Sequence, residues 1–346
     1  MPNRIAVNGP VPPRFPLSIL HPLGPIFWRL PLILRRHILH LWNHRRWGNF
    51  SNPRTFYEKM GWRIINDQRT LLGVATDKLA AKEYARRIAA RTGLPLRIPE
   101  TYWVGTDVRE LWGLREQLPQ RWVFKPNHSS GRFHILDSAK QAIDWDELIG
   151  IGTRWVQRDE EEKVAGHPGY RLARHTLIAE ERIGTHEDPP ATLRAQVAGG
   201  KIIGLSYSYG TIHPSNPSPR RRYRYSPDFQ RVADPDKKGD APIDERSNID
   251  ELTEAERKRL TATILSLAEG LDQVRVDLYV EEEIWFGELT MYSGSGLTRY
   301  LPEIANGLSA HWLLPDLSRP DPREDEWRAL LTAVPHGTLQ MERGRG

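Results

Sequence analysis

Two carboxylates with the spacing of a metal site lie in consecutive apolar segments, VRVDLYV (274–280) and IWFGELT (284–290). Strand side chains alternate between two faces, so Asp277 shares a face with Arg275, and Glu288 shares one with Thr290. If the strands pair through the acidic turn at 281–283, Asp277 and Glu288 approach each other. Neighbouring carboxylates repel unless a cation lies between them, and oxygen ligands combined with phosphate oxygens suit Mg²⁺. The pattern indicates a magnesium site, although two surface acids or salt-bridge partners can have the same spacing.

Two further segments carry groups that can bind a nucleotide. In FKPNHSSGRFH (124–134), Lys125 ends an apolar strand and a turn rich in serine and glycine follows. Backbone N–H groups, hydroxyls and a lysine can bind phosphate together, but the P-loop spacing is absent, and an ordinary polar turn has the same composition. In IAEERI (178–183), carboxylates at a strand end can meet an adenine amino group and ribose hydroxyls.

The elements that would position these residues can be predicted from local patterns. Residues 76–93 have helical periodicity between a capping Thr76 or Asp77 and a closing Gly93. Residues 251–271 predict a second helix, and 192–210 predict two strands joined at Gly199-Gly200. Short strands are predicted at 101–104, 121–125 and 176–183, and a loop at 214–248. Because helices are mixed with hairpins, we predict an α+β fold with antiparallel sheets and not a doubly wound parallel sheet.

The composition limits which classes of protein and which partners are compatible with this chain. The chain has 346 residues, a formal net charge of +5 and no cysteine. Its length suffices for two or three structural units, and its basic charge favours anionic partners. The absence of cysteine excludes disulfides, thiolate catalysis and cysteine zinc sites.

The N-terminal region is basic and rich in large apolar residues. Residues 17–47 mix Leu, Ile, Phe and Trp with Arg and His, and no acid precedes Glu58. One interpretation is a pair of amphipathic helices packed on the main domain. The other is a basic amphipathic surface that contacts anionic lipid. No nucleic-acid-binding motif accompanies the charge, so nucleic acid is not expected. Arginine and proline interrupt the apolar stretch too often for a single helix that spans a bilayer.

Four stretches together resemble a known family. They are NPRTFYEKMGWRIINDQRTLLGVATDK (52–78), WVFKPNHSSG (122–131), LIAEE (177–181) and VRVDLY…IWFGELT…GSG (274–296). Their order and content resemble the ATP-grasp superfamily, and within it the TupA-like branch, which is linked to teichuronopeptide and other surface-polysaccharide synthesis. The resemblance covers residues 50 to 312.

The resemblance implies an architecture and a set of domains. ATP-grasp proteins hold ATP between two α+β subdomains with antiparallel sheets. We accordingly expect a basic helical extension at 1–75, a first subdomain with a phosphate flap at 76–175, a second subdomain with the magnesium site at 176–318, and a polar tail at 319–346.

The resemblance also implies roles for individual residues, which are expectations at this stage. The phosphates of ATP would contact Lys78 and Lys125, beneath a flap formed by Ser129, Ser130 and Gly131. The adenine would be framed by Glu180, Glu181 and Ile183, and the ribose would be reached by Glu187. The metal would be held by Asp277, Glu288 and Thr290, although many family members have asparagine at the position of Thr290. Arg194 stands where relatives often carry a phosphate-binding lysine.

The catalytic residues that the resemblance implies are Lys125, Arg275, Ser295 and Gly296. Arg275 would stabilise the developing oxyanion, and residues 293–296 would present backbone N–H groups to the acyl group. The arginine- and tyrosine-rich segment 220–225 can bind an acidic substrate or be a solvated loop.

The implied activity is an ATP- and Mg²⁺-dependent carboxylate–amine ligase that works through an acyl phosphate. Its substrates would be a carboxylate, either a small molecule or a surface-glycan precursor, and an amine such as an amino acid. We expect a cytoplasmic protein, with peripheral contact to the membrane through its N-terminal region as one option. Two alternatives remain open: an ATP-dependent phosphotransferase, and a non-catalytic nucleotide-binding partner in polysaccharide assembly.

Overall fold

The computed structural model describes residues 24–157, 166–184, 190–209, 221–233, 241–243 and 245–333. Within these ranges the chain forms two sheets covered by helices, which confirms the predicted α+β class. No helix in the described part combines the length and apolarity that crossing a bilayer would require.

The helices carry the capping signals that their sequences suggest. Asp77 accepts a hydrogen bond from the N–H of Ala80, and Gly93 ends the same helix in the left-handed conformation. Thr55 and Glu58 form a capping box at the start of another helix. The helices are α1 (Gly24–Arg29), α2 (Leu32–His44), α3 (Phe56–Asn66), α4 (Thr70–Thr76), α5 (Lys78–Thr92), α6 (Val108–Gly113), α7 (Trp145–Gln157), α8 (Pro168–Leu172), α9 (Glu254–Leu267), α10 (Pro302–His311) and α11 (Glu324–Thr332).

The strands form one 6-stranded and one 4-stranded sheet. The large sheet has the order β1-β10-β9-β6-β7-β8, and only its β1–β10 pair is parallel within the described chain; the small sheet has the order β2-β5-β3-β4 and is antiparallel. The strands are β1 (Leu96–Arg97), β2 (Thr101–Gly105), β3 (Arg121–Pro126), β4 (His134–Asp137), β5 (Leu177–Glu181), β6 (Thr192–Ala198), β7 (Lys201–Tyr209), β8 (Arg221–Tyr225), β9 (Gln273–Val280) and β10 (Ile284–Thr290).

Each sheet buries one face because apolar residues alternate along its strands. Val274, Val276 and Leu278 of β9 are fully buried and belong to the core between the large sheet and its helices. Trp122 and Phe124 of β3 belong to a separate core beneath α6 and α7. Side chains alternate along a strand, so Asp277 projects from the face of β9 opposite its buried valines. Lys125 likewise projects from the face of β3 opposite Trp122 and Phe124.

The structure corrects the predicted loop at 214–248. Residues 221–225 form β8, an edge strand that pairs with β7. Tyr223 and Tyr225 are buried, whereas Arg222 and Arg224 lie on the other face of the strand. Arg221 shares the tyrosine face, at its exposed end, where it lies 3.7 Å from Glu245. The period of two in RRYRY is a strand pattern, but the surrounding polar and proline-rich sequence obscured it. Arg220 lies outside the described residues.

Two further observations concern the predicted domain organisation. The strand Leu177–Glu181 lies in the small sheet with β2 and β3, although we expected the second subdomain to begin at residue 176. The expected tail from residue 319 contains α11, whose Trp327 is buried against Tyr84. The exact domain boundaries remain a proposal.

Candidate active site

The β9–β10 hairpin brings the two predicted metal ligands together. Asp277 pairs directly with Glu288 in the register, and the turn at 281–283 joins the strands as expected. A β-bulge between Phe286 and Glu288 places Gly287 against the backbone of Asp277. A Cβ at position 287 would lie 2.7 Å from the Asp277 carbonyl oxygen, so the strands approach this closely because the residue is glycine.

Arg275 lies between the two carboxylates. Its Nε and one terminal nitrogen donate to the two oxygens of Asp277, each over 2.6 Å, and a terminal nitrogen donates to Glu288 over 2.9 Å. Arg194 lies 3.4 Å from Asp277 and also donates to the hydroxyl of Ser208. The hydroxyl of Thr290 donates to Glu288 over 3.1 Å. Two arginines therefore balance the charge of the two acids.

The two acids differ in their environment. Burial raises the pKa of Asp277, and the nearby Arg275 and Arg194 only partly offset this effect. Burial also opposes ionisation of Glu288, but Arg275 and Lys78 outweigh it and keep the pKa of Glu288 below its usual range. The side chain of Glu288 is 42% exposed, so it remains open to a ligand.

These residues fit a magnesium ion that is bound mainly through phosphate oxygens. In the described chain, no cluster of three or more His, Asp or Glu residues forms a complete protein cage for a metal. Mg²⁺ commonly uses one or two carboxylates together with substrate phosphates, so Glu288 and Asp277 suffice as the protein share. Both Asp277 oxygens are hydrogen-bonded to Arg275, which makes Glu288 the more accessible ligand. The assignment of Thr290 as a ligand stays a prediction.

On the small sheet, Lys125 faces Glu180. The ammonium group of Lys125 contacts one oxygen of Glu180, and the ammonium group of Lys82 lies 2.5 Å from the other. Glu180 is buried, which disfavours its charge, but the two lysines hold its pKa at about 2. Burial lowers the pKa of Lys82 to about 8 despite the attraction of Glu180. Glu180 thus pairs with two lysines, and its expected role toward adenine stays a prediction.

Lys78 joins the start of α5 to the predicted flap. Its ammonium group donates to the carbonyl of Asn127 over 3.2 Å and also to the carbonyl of Ser129. Ser129 is buried and its hydroxyl accepts from Arg132, whereas Ser130 is exposed. Gly131 has a φ of 70°, which glycine adopts without strain. The predicted flap residues therefore form a turn beside Lys78.

The two sheets contribute to one site. Burial raises the pKa of Tyr279, and the carboxylates of Glu180, Glu288 and Asp277 raise it further. The field of the Glu180 carboxylate on the small sheet thus reaches Tyr279 on the large sheet. The helix α5, which begins at Lys78, packs against β10, and Lys78 lowers the pKa of Glu288 on that strand.

The other residues predicted to bind the nucleotide are Glu181, Ile183 and Glu187. Glu181 accepts a hydrogen bond from the N–H of Glu100, which ties β5 to the start of β2. Ile183 is buried just beyond the end of β5. Glu187 lies outside the described residues. The roles of Glu181, Ile183 and Glu187 toward adenine and ribose stay predictions.

The glycine-rich segment Ser293–Gly296 is a tight turn with left-handed backbone at Gly294, Ser295 and Gly296. The N–H of Ser295 donates to the carbonyl of Tyr292 over 2.8 Å. The turn itself thus uses the N–H of Ser295. The expected role of residues 293–296 toward an acyl group stays a prediction. The hydroxyl of Ser295 lies 2.9 Å from Nε2 of the buried His167.

Sequence reasoning missed Lys82 and His167. Lys82 follows Lys78 by one helical turn, so the two lysines share a side of α5, and this i,i+4 spacing was a usable signal. His167 stacks face to face on Tyr292 with a centroid separation of 4.4 Å. No local pattern marked this residue, because its partners Tyr292 and Ser295 lie far away in sequence.

No known protein family model and no curated protein matches the chain. Several solved structures match the chain at low identity and low TM-score. The D-alanine–D-alanine ligase from Bacillus anthracis complexed with ATP is 17% identical, over 69% of this chain and 62% of that one, with a TM-score of 0.37. The macrocyclase MdnC from Microcystis aeruginosa, bound with its precursor peptide MdnA, is 14% identical over 69% of this chain and 60% of its own, with a TM-score of 0.35.

A third match is the ATP-grasp ligase PsnB complexed with a minimal precursor, which is 10% identical over 72% of this chain and 59% of its own, with a TM-score of 0.33. The chain spans about three fifths of the length of these structures. The α+β class of the chain rests on its own two sheets and their helices. At such low identities and TM-scores, the similarity carries no argument about activity, which must come from the residues of this chain.

Proposed function

We propose that this chain is an ATP- and Mg²⁺-dependent carboxylate–amine ligase of the ATP-grasp type. One observation carries the proposal: α5, which begins at Lys78, packs against β10, the strand that carries Glu288, and Lys78 lowers the pKa of that acid. Lys125 is linked to the same hairpin through its ion-pair partner Glu180, whose carboxylate raises the pKa of Tyr279 on β9. Cations that can bind phosphates and acids that can bind a metal are the two sets of groups that a magnesium nucleotide requires.

The reaction would proceed in two displacements. A substrate carboxylate oxygen attacks the γ-phosphorus of ATP, ADP leaves, and an acyl phosphate forms. An amine then attacks the carbonyl carbon, phosphate leaves with the bonding electrons, and the nitrogen gives up a proton. No protein nucleophile is needed, which agrees with the absence of cysteine.

Each residue has a physical role in this scheme. Carboxylate and ATP are both anionic, so Lys78, Lys125 and Arg275 would reduce their repulsion and hold them in line. Glu180 would fix Lys125, since the two already form an ion pair. Mg²⁺ held by Glu288 and Asp277 would neutralise charge on the phosphates. The turn 129–131 beside Lys78 would close over the phosphates and exclude water.

We further propose the substrate class and the place of action from the motif resemblance over residues 50 to 312. The carboxylate would belong to a surface-glycan precursor or to a small acid, as in the TupA-like branch, and the amine would be an amino acid or a similar molecule. The reaction would take place in the cytoplasm, where ATP is available.

The decisive experiment measures ADP release by the purified chain with Mg²⁺ and ATP. A panel of carboxylates, including uronic acids, is tested with and without amino acids. ADP and phosphate that appear only when acid and amine are both present would establish ligation. ADP together with a stable phosphorylated product, and no need for an amine, would replace the proposal with a phosphotransferase.

ATP binding is measured in parallel through its effect on thermal unfolding, since a ligand that binds only the folded state raises Tm. We expect ATP to raise Tm in the presence of Mg²⁺ and much less in the presence of EDTA. If ATP leaves Tm unchanged at millimolar concentration with Mg²⁺, the nucleotide site itself is contradicted.

A further inference from the structure

The outer side of α2 carries an unusual concentration of exposed apolar side chains. Among the residues that the structure describes, five of the eleven exposed large apolar side chains lie between residues 33 and 47. Leu34 and Leu41 are seven residues apart and therefore project from the same side of the helix. Ile33 and Trp42 flank them, with 50% and 40% exposure, and Trp47 follows the helix with 58%.

The charged residues of the segment that carries this apolar surface have a single sign. Arg29, Arg45, Arg46 and Arg54 are exposed in the same region, and the sequence contains no Asp or Glu before Glu58. Glu58 itself is buried, where it caps the start of α3. The guanidinium of Arg45 lies 5.8 Å from the ring centre of Trp42, so basic and apolar groups are adjacent.

The opposite side of α2 is firmly attached to the protein. Arg36 is buried and donates to the carbonyl of Ser295 over 2.5 Å. A ring nitrogen of His44 lies 2.8 Å from the carbonyl of Gly296, and Arg299 donates to the carbonyl of Asn43 over 2.8 Å. The exposed apolar side is therefore held in a fixed position relative to the turn 293–296.

We propose that the outer side of α2, with Trp47, docks on an anionic lipid bilayer. A helix lies in the membrane interface when one side presents Leu, Ile and Trp and the surrounding residues are basic. Each arginine near an anionic surface adds attraction, and the lack of acids in this region removes repulsion. Positive charge beside the apolar residues distinguishes a bilayer from an uncharged apolar partner.

The position of α2 suggests a consequence that rests on the proposed function. Since α2 contacts the turn 293–296 directly, a docked bilayer would lie on the far side of a single helix from that part of the candidate active site. The carboxylate substrate would then belong to a membrane-anchored molecule, and the protein would act on it at the surface. The docking itself requires neither ATP nor turnover.

The test is cosedimentation of the full chain with vesicles at low salt. We expect binding to vesicles of phosphatidylglycerol and phosphatidylcholine, little binding to phosphatidylcholine alone, and weaker binding as salt screens the charges. Leu41→Glu and Trp42→Glu should each lower the bound fraction strongly. Trp112→Glu is the matched control, because Trp112 is exposed by 48% and also lies against an arginine, Arg115.

A second set of variants tests the electrostatic part. Arg45→Gln and Arg46→Gln should each reduce partitioning by about fivefold, since one basic residue near an anionic surface contributes about 1 kcal/mol. Arg109→Gln, an exposed arginine on α6, should leave partitioning unchanged. Unchanged Tm values would show that the variants are folded.

Three results would overturn the proposal. The first is no cosedimentation with the phosphatidylglycerol vesicles. The second is equal binding by Trp42→Glu and Trp112→Glu. The third is a dimer that Trp42→Glu dissociates, with no vesicle binding, which would make this surface a contact between copies of the chain. Because the assay contains no ATP, its failure would leave the ligase proposal untouched, and absent ligase activity would leave the docking result valid.

Discussion

Arg275 occupies the position between Asp277 and Glu288 where a cation would otherwise be needed. Two carboxylates that face each other across a hairpin repel, and the guanidinium of Arg275 relieves this repulsion by contacting both. A bound magnesium nucleotide would bring its own positive ion to the same acids. We therefore expect Glu288, the more exposed acid, to be the side chain on which metal binding depends most.

Glu288→Gln should preserve the fold and lower Mg²⁺-dependent ADP release by about 10²-fold or more, because a neutral amide is a poor magnesium ligand. The Mg²⁺-dependent rise in Tm with ATP should shrink as well. Glu282→Gln, in the exposed turn of the same hairpin, is the matched control and should behave as the wild type. Full activity of Glu288→Gln with an unchanged Mg²⁺ requirement would contradict the metal assignment.

Glu180 should stabilise the protein in a defined pH range. Its folded pKa of about 2 lies below the unfolded value of ~4.3, so its contribution is complete above that value and is lost as pH falls toward 2. Glu180→Gln leaves Lys82 and Lys125 without their counter-charge and should cost about 3–5 kcal/mol at neutral pH. As far as the carboxyl of Glu180 is concerned, the difference from wild type should therefore be fully present above about pH 5 and shrink below it.

Urea unfolding between about pH 3 and 7 would measure this difference, because the reference pKa of a glutamate carboxyl lies within that range. Glu116→Gln changes an exposed residue outside the Glu180 ion pairs. It should lower the free energy of unfolding only slightly at any of these pH values. A difference between wild type and Glu180→Gln that stays constant down to the lowest pH would show that the two lysines do not depress the pKa of Glu180.

At the scale of elements, the β9–β10 hairpin depends on Gly287. A methyl group there would lie 2.7 Å from the carbonyl oxygen of Asp277, a contact that backbone atoms cannot avoid without moving the strands. Gly287→Ala should therefore cost about 1–3 kcal/mol and weaken the ATP-dependent rise in Tm, because Glu288 moves relative to Asp277. Urea unfolding and the Tm shift would measure the two effects.

Gly150→Ala provides the control for this substitution. Gly150 lies within α7, and a methyl group there would meet only the terminal nitrogen of Arg154 at 3.5 Å, an ordinary contact. Alanine in a helix interior should stabilise by about 0.5–1 kcal/mol. If Gly287→Ala lowers the free energy of unfolding no more than Gly150→Ala does, the stability of the protein does not depend on the close approach of the two strands.

Elements with strong local signals were predictable from the sequence. The helix α5 has a capping aspartate and a closing glycine, and the β6–β7 hairpin turns at Gly199-Gly200, so neighbouring residues suffice to define both. The strand β8 was missed because its pairing with β7 decides its structure, and its exposed side consists of arginines. Propensity in such an edge strand is weak compared with tertiary pairing.

The residues of the candidate site also fall into two groups: those whose approach the local sequence predicts and those that only the folded chain brings together. The approach of Asp277 and Glu288 follows from a three-residue turn, so the sequence predicts it. The pairing of Glu180 with Lys82 and Lys125 joins α5, β3 and β5, which only the folded chain brings together. The burial of Glu180 between these two lysines therefore could not be read from the segment IAEERI, while its role toward adenine stays a prediction.

At the scale of the whole molecule, a buried arginine network joins distant parts of the chain. Arg63 of α3 is fully buried and donates to the backbone carbonyls of Gln273 and Met291, at the start of β9 and just beyond β10. It also pairs with Asp272, which accepts from the indole of Trp312. The segment GWRIINDQR (61–69), which contributed to the family resemblance, thus anchors the hairpin of the candidate site.

Arg63→Met should consequently destabilise the whole molecule by about 3–5 kcal/mol, because the substitution removes one of the three donors of Asp272 and the Arg63 bonds to two carbonyl groups. Burial opposes ionisation of Asp272, but Arg63 and Arg69 lower its pKa, so the acid would stay charged in the variant with one partner fewer. Equilibrium urea unfolding, monitored by circular dichroism, would measure the loss. If Arg63→Met does not fold, Arg63→Lys should show an intermediate loss, since lysine keeps the charge but not the planar fork of donors.

Arg91→Met is the matched control for this prediction, since Arg91 pairs with Glu269 on the surface and both side chains are more than half exposed. An exposed pair contributes only about 0–1 kcal/mol. Equal losses for the two variants would show that the Arg63 network is no more important than a surface ion pair. A large loss for Arg63 alone, with a single unfolding transition, would show that α3 and the β9–β10 hairpin unfold together, so that the acids of the candidate site keep their positions only while this network is intact.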